Sequence, residues 1–221
     1  MGTIVVFENV SLDAVTQDAT GEEGFSRTDW RAELTPAGRA AWAELILDDV
    51  LGAQVLLLGR RSYEFFAARY PSRTGALADR MNGLPKYVVS TTLTDPAWHN
   101  TTVLGGDLLT EVSALKQTVT GAVRVYGSSR LVRTLLANDL VDELRLAVFP
   151  VLMGAGSRIF DQSDQAAPLR PKPLRLTETR AVGADLVHLT YRRVSENAVA
   201  APIPAGSRTV MARPPSATAS A

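Results

Sequence analysis

Residues 54–66 read QVLLLGRRSYEFF, an unbroken apolar run followed at once by a glycine, two arginines and a serine. A strand covered on both faces is apolar at consecutive positions, and the residues after the glycine can open a helix. The free N–H groups at such a helix start attract anions, and arginines add planar donors. The stretch therefore predicts an α/β fold with an anion site at Gly59, Arg60, Arg61 and Ser62. The alternative is a plain helix start, with Ser62 as its N-cap and both arginines solvated.

The same alternation of apolar runs and amphipathic stretches extends on both sides of this junction. Strand-like runs are TIVVFENV, AQVLLLG, KYVVSTT, VRVYG and ELRLAVFPVL, and helix-like stretches are TPAGRAAWAELILDDVLG, RSYEFFAARY, LTEVSALKQTV and SSRLVRTLLANDL. Alternating strands and helices predict a mostly parallel central sheet with helices on both faces. Residues 174–194 instead read as two strands joined across residues 182–185, which predicts a C-terminal antiparallel hairpin.

Two further predicted strands end in hydroxyl or glycine residues. Ser90 and Thr91 follow KYVV, and Gly127, Ser128 and Ser129 follow VRVY. Each pattern alone is also typical of a capped loop or a tight strand-to-helix turn. The carboxyl ends of parallel strands lie along one edge of a sheet, so we expect all three junctions to line a single crevice that suits a long, multiply phosphorylated ligand. We call residues 59–62 the arginine turn, residues 90–91 the hydroxyl turn and residues 127–129 the serine turn.

The composition and the absence of certain motifs argue against several other classes of protein. The formal net charge is zero, which gives no electrostatic case for a nucleic-acid or anionic-membrane partner. Cysteine is absent and the two histidines stand far apart, so thiolate chemistry is excluded and a zinc site is not expected. Neither G-x-G-x-x-G nor G-x-x-x-x-G-K-[ST] occurs at the three junctions, which disfavours Rossmann dehydrogenases and P-loop NTPases. No apolar run is long enough for a signal peptide or a membrane span, and we expect a cytoplasmic protein.

The composition changes near residue 194. Residues 195–221 are rich in Ala, Pro and Ser and show neither helical nor strand periodicity. Such a segment buries too little apolar surface to offset an ordering cost of roughly 1–2 kcal/mol per residue. We predict one folded domain over residues 1–194 and a disordered tail over residues 195–221.

Several stretches resemble the dihydrofolate-reductase-like superfamily, in particular the reductase domain of the bifunctional riboflavin-biosynthesis deaminase–reductase. The resemblance is carried by NVSLDAVTQD, VLLLGRRSYEFF, KYVVSTTL and VRVYGSSRLVRTLLANDLVDELRLAVFPVLMGAGSRIF, and it covers roughly residues 3–194. It implies NADPH as the cofactor and a small heterocyclic substrate such as 5-amino-6-(5-phosphoribosylamino)uracil or dihydrofolate. Together with the apolar strand LRLAVFPVL and the hairpin, it also implies a homodimer.

The resemblance assigns a role to each junction. The arginine turn matches the turn that holds the adenosine 2′-phosphate and the pyrophosphate, and the hydroxyl turn matches the strand end beside the adenosine ribose phosphate. The serine turn matches the glycine-rich turn under the pyrophosphate. A 2′-phosphate explains why positive charge follows the strand, since an acidic residue there would favour NAD. Ala14 stands where the family's S-L-D-G segment has its glycine.

A reductase of this kind needs orientation of the substrate and a proton donor near the nicotinamide. The candidates are Asp13, directly after the first strand, and Glu44, Asp48 and Asp49 on the predicted helix 35–52. Resemblance to riboflavin-pathway reductases selects Asp13, and resemblance to folate reductases selects Glu44. The alternatives are a turn-stabilising contact for Asp13 and a solvated helix face for Glu44, Asp48 and Asp49. The second candidate function is a non-catalytic nucleotide-binding module with the same fold.

Overall fold

An eight-stranded sheet runs through the computed structural model, which describes residues 1–25, 29–160 and 171–194. The predicted tail over residues 195–221 lies outside these ranges. In chain order the strands are β1 (Thr3–Val10), β2 (Ala53–Gly59), β3 (Lys86–Val89), β4 (Thr101–Leu104), β5 (Ala122–Tyr126), β6 (Glu143–Val148), β7 (Leu174–Val182) and β8 (Leu186–Arg193).

The order of strands across the sheet is β4-β3-β2-β5-β1-β6-β8-β7. The strands from β4 to β6 pair in parallel, whereas β8 pairs antiparallel with both β6 and β7. The turn between β7 and β8 begins at Gly183, which has a φ of +61°. The mostly parallel sheet and the C-terminal hairpin predicted from the sequence are thereby confirmed.

Five α-helices cover the two faces of the sheet within the described residues: α1 (Pro36–Leu51), α2 (Arg60–Ala67), α3 (Ala76–Gly83), α4 (Leu108–Thr118) and α5 (Ser129–Ala137). Helices α1 to α3 contribute to the core on one face, and α4 and α5 contribute to the core on the other. Short 3₁₀ helices span Trp30–Glu33 and Tyr70–Ser72. Helix α1 begins where the Thr35 hydroxyl accepts the N–H of Gly38 and Pro36 takes the first helical position.

Strand β2 explains why residues 55–58 are apolar at every position. Leu56, Leu57 and Leu58 are completely buried; Leu56 and Leu58 pack on one face of the sheet and Leu57 on the other. Burying a leucine side chain contributes roughly 1.5–3 kcal/mol. Consecutive leucines are therefore favourable only in a strand that has helices on both sides.

Two elements were not predicted from the sequence, the short helix α3 and the edge strand β4. No residue of β4, TTVL, is fully buried, and α3, ALADRMNG, buries only Ala78 and Met81, so neither shows the apolar pattern of the predicted elements. Strand β3 is also shorter than predicted. It ends at Val89 because the next residue turns its hydroxyl back to the loop that follows.

The outer edge of β7 is unpaired within the described residues, and Leu174 and Leu176 on this strand are exposed. Such an edge can pair with a second chain, and the homodimer stays a prediction. None of the helices in the described ranges is long and apolar enough to cross a membrane.

Candidate functional site

The arginine turn and the serine turn are joined by hydrogen bonds at one edge of the sheet. The Ser128 hydroxyl accepts the N–H of Gly59 at 2.9 Å, and the Ser62 hydroxyl accepts the N–H of Ser128 at 2.8 Å. Gly127 and Ser128 both have left-handed backbones, with φ of +55° and +60°. A Cβ atom on Gly127 would lie 3.0 Å from the Ser62 hydroxyl. Both the backbone conformation and this close approach therefore require glycine at position 127.

A groove of about 550 Å³ opens over these two turns. We call it the polar groove, and it is lined by both turns together with charged residues that include Asp18, Arg130, Arg133 and Arg158. Helices α2 and α5 both begin here, and their N-cap residues, Gly59 and Ser128, make no side-chain capping hydrogen bond. The N-cap side chains thus do not occupy the first N–H groups of the two helices, and helix starts of this kind suit an anion in the groove.

Both arginines of the arginine turn are exposed at the groove. Arg60 forms an ion pair with Glu64 at 2.7 Å and donates a second hydrogen bond to Thr92. The ion pair joins residues four apart on a half-exposed helix surface, where such pairs contribute only about 0.3–0.5 kcal/mol. A bound phosphate group can displace Glu64 at little cost, so the pairing does not remove Arg60 from the site.

The hydroxyl turn lies beside the groove without lining it. The Ser90 hydroxyl accepts hydrogen bonds from the N–H groups of Thr92 and Leu93, at 3.2 and 3.0 Å. These bonds stabilise the loop that follows β3. Thr91 is exposed. The hydrogen bond from Arg60 to Thr92 links this loop to the arginine turn. The structure therefore brings the arginine and serine turns together and places the hydroxyl turn next to them.

A second cavity, of about 340 Å³, adjoins the polar groove. We call it the apolar pocket because six aromatic rings line it: Phe7, Trp42, Phe65, Phe66, Tyr70 and Tyr126. The Trp42 indole N–H donates to the Asn9 side chain at 3.2 Å, which fixes the ring at the wall. Both volumes lie within the range of about 300–1,000 Å³ that is typical of ligand pockets.

The two cavities share six residues: Glu8, Thr16, Glu23, Arg61, Ser62 and Gly127. Glu8 belongs to β1 and is buried. Its burial, and secondarily the negative charge of Glu23, raises the pKa of the Glu8 carboxyl group to about 8. Sequence reasoning missed this residue, although a single acidic side chain inside the apolar run TIVVFENV was a visible signal.

Asp13 lies in the loop after β1, where its carboxylate accepts three hydrogen bonds. The donors are the Ser11 hydroxyl at 2.6 Å and the N–H groups of Met153 and Gly154, at 3.1 and 2.9 Å. These bonds, the one from Ser11 first, hold the pKa of Asp13 at about 2. Its carboxylate is therefore ionised at neutral pH and ties two loops together. Asp13 lines neither cavity, and its part in catalysis stays a prediction.

The S-L-D segment and the P-V-L-M-G-A-G segment lie directly against each other. The N–H of Leu12 donates to the carbonyl of Val151 at 2.9 Å, and Val15 forms a β-bridge with Arg158. Ala14 has a φ of +64°, so the chain keeps the left-handed turn that suits a glycine. Ala14 therefore adopts a conformation that is freely accessible to glycine but strained for alanine.

The three acidic residues of α1 have different surroundings. Glu44 and Asp48 are exposed, and neither lines a cavity. Asp49 is buried beneath the pocket wall, where Arg145 donates to its carboxylate at 2.7 Å and the Tyr126 hydroxyl does so at 2.7 Å. Glu44 as a proton donor stays a prediction. In the described ranges, no group of three His, Cys, Asp or Glu side chains is placed to hold a metal ion.

Comparison with known proteins agrees with this architecture. Uncharacterized protein YyaP of Bacillus subtilis (strain 168) is 26% identical over 141 residues, which cover 62% of this chain and 72% of that protein. A solved structure from Shewanella sp. PV-4, assigned to riboflavin biosynthesis, covers 87% of this chain and 99% of its own, with a TM-score of 0.66 at 19% identity. Dihydrofolate reductase from Enterococcus faecalis, complexed with NADP(H) and RAB-propyl, covers 88% of this chain and 98% of its own, with a TM-score of 0.52 at 13% identity.

At these identities the two solved structures show the fold alone, which is dihydrofolate-reductase-like as the sequence predicted. The family model described as the RibD C-terminal domain matches residues 2–188, which include every strand of the parallel sheet and both turns at the polar groove. The chain therefore belongs to the RibD C-terminal domain family, whose members share the dihydrofolate-reductase-like reductase fold.

Proposed function

We propose that the protein is an NADPH-dependent reductase of a small heterocyclic substrate. One observation carries the proposal: a groove suited to phosphates opens directly into a pocket lined by aromatic rings, and the two share a wall. A dinucleotide requires the first environment and a flat heterocycle requires the second. Bound NADPH would supply a hydride to the substrate at the junction of the two.

The residues of the polar groove fit this cofactor. The uncapped starts of α2 and α5 offer backbone N–H groups to the pyrophosphate. Gly127 lets the phosphates approach the backbone closely, and Arg60 and Arg61 offer bidentate donors to a 2′-phosphate. Thr91 is exposed and precedes Thr92, the hydrogen-bond partner of Arg60, and we assign it to the adenosine ribose. The NADP(H) bound to the Enterococcus faecalis enzyme, which shares the fold, supports the same choice of cofactor.

The apolar pocket supports a planar substrate of the kind that riboflavin-pathway and folate reductases use. Aromatic walls contribute stacking and exclude water from the reacting atoms. Three arginines also line this pocket: Arg31, Arg61 and Arg73. Arg73 is half-exposed and forms an ion pair with Glu22 at 3.3 Å. These cations can meet a phosphate carried by the substrate, as 5-amino-6-(5-phosphoribosylamino)uracil would require.

A screen of NADPH, NADH, FMN and ATP tests the proposal on the full chain. We expect NADPH to raise the melting temperature most, because binding at 100 times the dissociation constant adds about 2.7 kcal/mol to the free energy of unfolding. Equal shifts with NADPH and NADH, or a shift with FMN or ATP alone, would contradict the cofactor assignment. NADPH binding without oxidation of NADPH by either candidate substrate would favour the non-catalytic nucleotide-binding module.

Replacement of Asp13 by asparagine tests the loop that this residue anchors. An amide has one acceptor oxygen instead of two, so the N–H of Met153 or Gly154 loses its partner and the adjoining loop shifts. We expect steady-state NADPH oxidation with 5-amino-6-(5-phosphoribosylamino)uracil to fall by up to about 100-fold, as a small misplacement transmitted from outside the reacting groups can cause. The affinity for NADPH, measured by fluorescence titration, should hold. Unchanged turnover would remove Asp13 from the mechanism.

A further inference from the structure

Glu8 occupies the boundary between the polar groove and the apolar pocket, and it is buried on a central strand. We propose that its carboxyl group is the proton donor of the reduction and delivers its proton to the substrate atom next to the carbon that receives the hydride. This inference rests on the proposed reductase function and adds to it a residue that neither the sequence motifs nor the family resemblance identifies.

The position of Glu8 follows from the pairing of three strands. Strand β5 pairs with β1 only as far as Phe7 and Tyr126, and its chain then turns away at Gly127. On the other side, β6 continues, and Leu146 pairs with Glu8. The backbone of Glu8 is therefore paired with β6 alone, and Glu8 lines both cavities at the opening beyond the end of β5. Ligands of open α/β sheets bind in such openings beyond the carboxyl ends of the strands.

The surroundings of Glu8 favour the neutral acid. Only 6% of the residue is exposed, and its carboxyl group makes no ion pair in the described ranges. A carboxyl group without a cationic partner loses more by burial when it is charged than when it is neutral. The pKa of about 8 leaves the proton in place at neutral pH, as a general acid requires.

The charged groups that line the two cavities with Glu8 come from several elements. Around the apolar pocket these are Glu22, Glu23, Arg31, Arg61 and Arg73. Around the polar groove they also include Asp18, Arg60, Arg130, Arg133 and Arg158. Of all these, the negative charge of Glu23 acts on Glu8, and Arg61 in turn acts on Glu23. Removal of the Glu23 charge should therefore lower the pH at which Glu8 releases its proton.

The reduction of a C=N or C=O bond needs one hydride and one proton. The hydride brings two electrons to the carbon, and the electron pair of the double bond moves to the nitrogen or oxygen. That atom then takes the Glu8 proton: one carboxyl O–H bond breaks, one N–H or O–H bond forms, and a carboxylate remains. Water that enters through the polar groove returns the proton before the next turnover.

The two acids chosen from the sequence are less suited to this step. Asp13 has a pKa of about 2 and donates no proton at neutral pH. Glu44 lies on the exposed surface of α1 and lines neither cavity. Among the described residues, Glu8 combines a retained proton with access to both cavities, which is what separates it from Asp13 and Glu44.

The first experiment follows the carboxyl group itself. Infrared titration of the full chain, without substrate, should show a protonated-carboxyl band that disappears with an apparent pKa near 8. The band should be missing in Glu8→Gln and should titrate at lower pH in Glu23→Gln. It should be unchanged in Glu178→Gln, which makes the same change at an exposed position on β7 and serves as the matched control. A Glu8 carboxyl group that titrates at its ordinary value would overturn the proposal.

Stability gives a second readout that does not depend on turnover. The folded-state pKa of Glu8 lies above the unfolded value, so its stabilising effect is complete below pH 4.5 and is lost as the pH rises towards about 8. We expect the melting temperature of the wild type to decline across this window more steeply than that of Glu8→Gln. Parallel declines in the two proteins would contradict the burial of a neutral acid.

Kinetics then separate this inference from the proposed function. With dihydrofolate and 5-amino-6-(5-phosphoribosylamino)uracil as probes, Glu8→Gln should lower kcat by about 10²–10⁴-fold and leave NADPH affinity unchanged. The wild-type kcat should decline above about pH 8, and this decline should be absent from the variant. Full kcat in Glu8→Gln would overturn the proton-donor role alone. A wild type that binds no NADPH, or oxidises it with neither probe, would overturn the reductase function and the proton donor together.

Discussion

The double replacement of Arg60 and Arg61 by alanine is expected to weaken NADPH binding by about 100-fold or more. The loss of affinity for NADH should be at least tenfold smaller than the loss of affinity for NADPH. Each hydrogen bond between a guanidinium group and a phosphate contributes roughly 1.5–3 kcal/mol. NADH lacks the 2′-phosphate, so it loses only the weaker attraction of the arginines to its pyrophosphate. Fluorescence titration of both cofactors at one ionic strength measures the ratio.

The matched control is the double replacement of Arg175 and Arg180, two exposed arginines on β7. It changes the net charge by the same amount but leaves the polar groove intact. We expect its affinity for both cofactors to equal that of the wild type within about twofold, because exposed charges beyond a Debye length are largely screened. Equal losses for NADPH and NADH in the Arg60 and Arg61 variant would count against the 2′-phosphate assignment.

Replacement of Asp49 by alanine should lower the free energy of unfolding by about 3–5 kcal/mol. Asp49 and Arg124 are both almost fully buried, with side chains 2% and 3% exposed and an ion-pair distance of 3.1 Å. Arg145 reaches the same carboxylate at 2.7 Å. Without the carboxylate, a buried arginine keeps its charge but has no counter-charge, and this uncompensated burial is the source of the loss. Urea denaturation measures it.

The neighbouring residue on α1 provides the control. Asp48 is exposed, and its replacement by alanine should change the free energy of unfolding by less than about 0.5 kcal/mol. The combination of Asp49→Asn with Arg124→Gln should cost less than the sum of the two single changes, because each single change leaves the other partner unpaired. An additive result, or a loss at Asp49 as small as at Asp48, would mean that the buried ion pair does not stabilise the fold.

Tyr126 contacts the buried ion pair and also lines the apolar pocket. Its hydroxyl donates to Asp49 at 2.7 Å, and its ring lines the apolar pocket. Burial, with the nearby Asp49 charge, raises the pKa of Tyr126 well above its ordinary value, so the phenol keeps the proton that it donates. Arg145, which pairs with Asp49, also forms an ion pair with Glu143 on β6. The wall of the pocket is therefore fixed by ionic contacts that join α1, β5 and β6.

Local patterns predicted the parts of the protein that depend on neighbouring residues. The leucine run of β2 and the turn at Gly183 each lie where the sequence places them. Their cause is local, because side-chain periodicity and a positive φ are properties of a few consecutive residues. The edge strand β4 and the helix α3 were not predicted, because few of their side chains are buried and their apolar pattern is correspondingly weak.

The amino-acid sequence was sufficient for the α/β architecture, for the C-terminal hairpin and for the two turns that meet at the polar groove. Only the folded chain distinguished one acidic residue from another. Asp13 ties two loops, Asp49 neutralises buried arginines, and Glu8 faces the junction of two cavities. The reason is that the pKa and the contacts of a carboxyl group depend on its burial and on partners that lie up to 150 positions away along the chain. The sequence around each acidic residue shows neither of these.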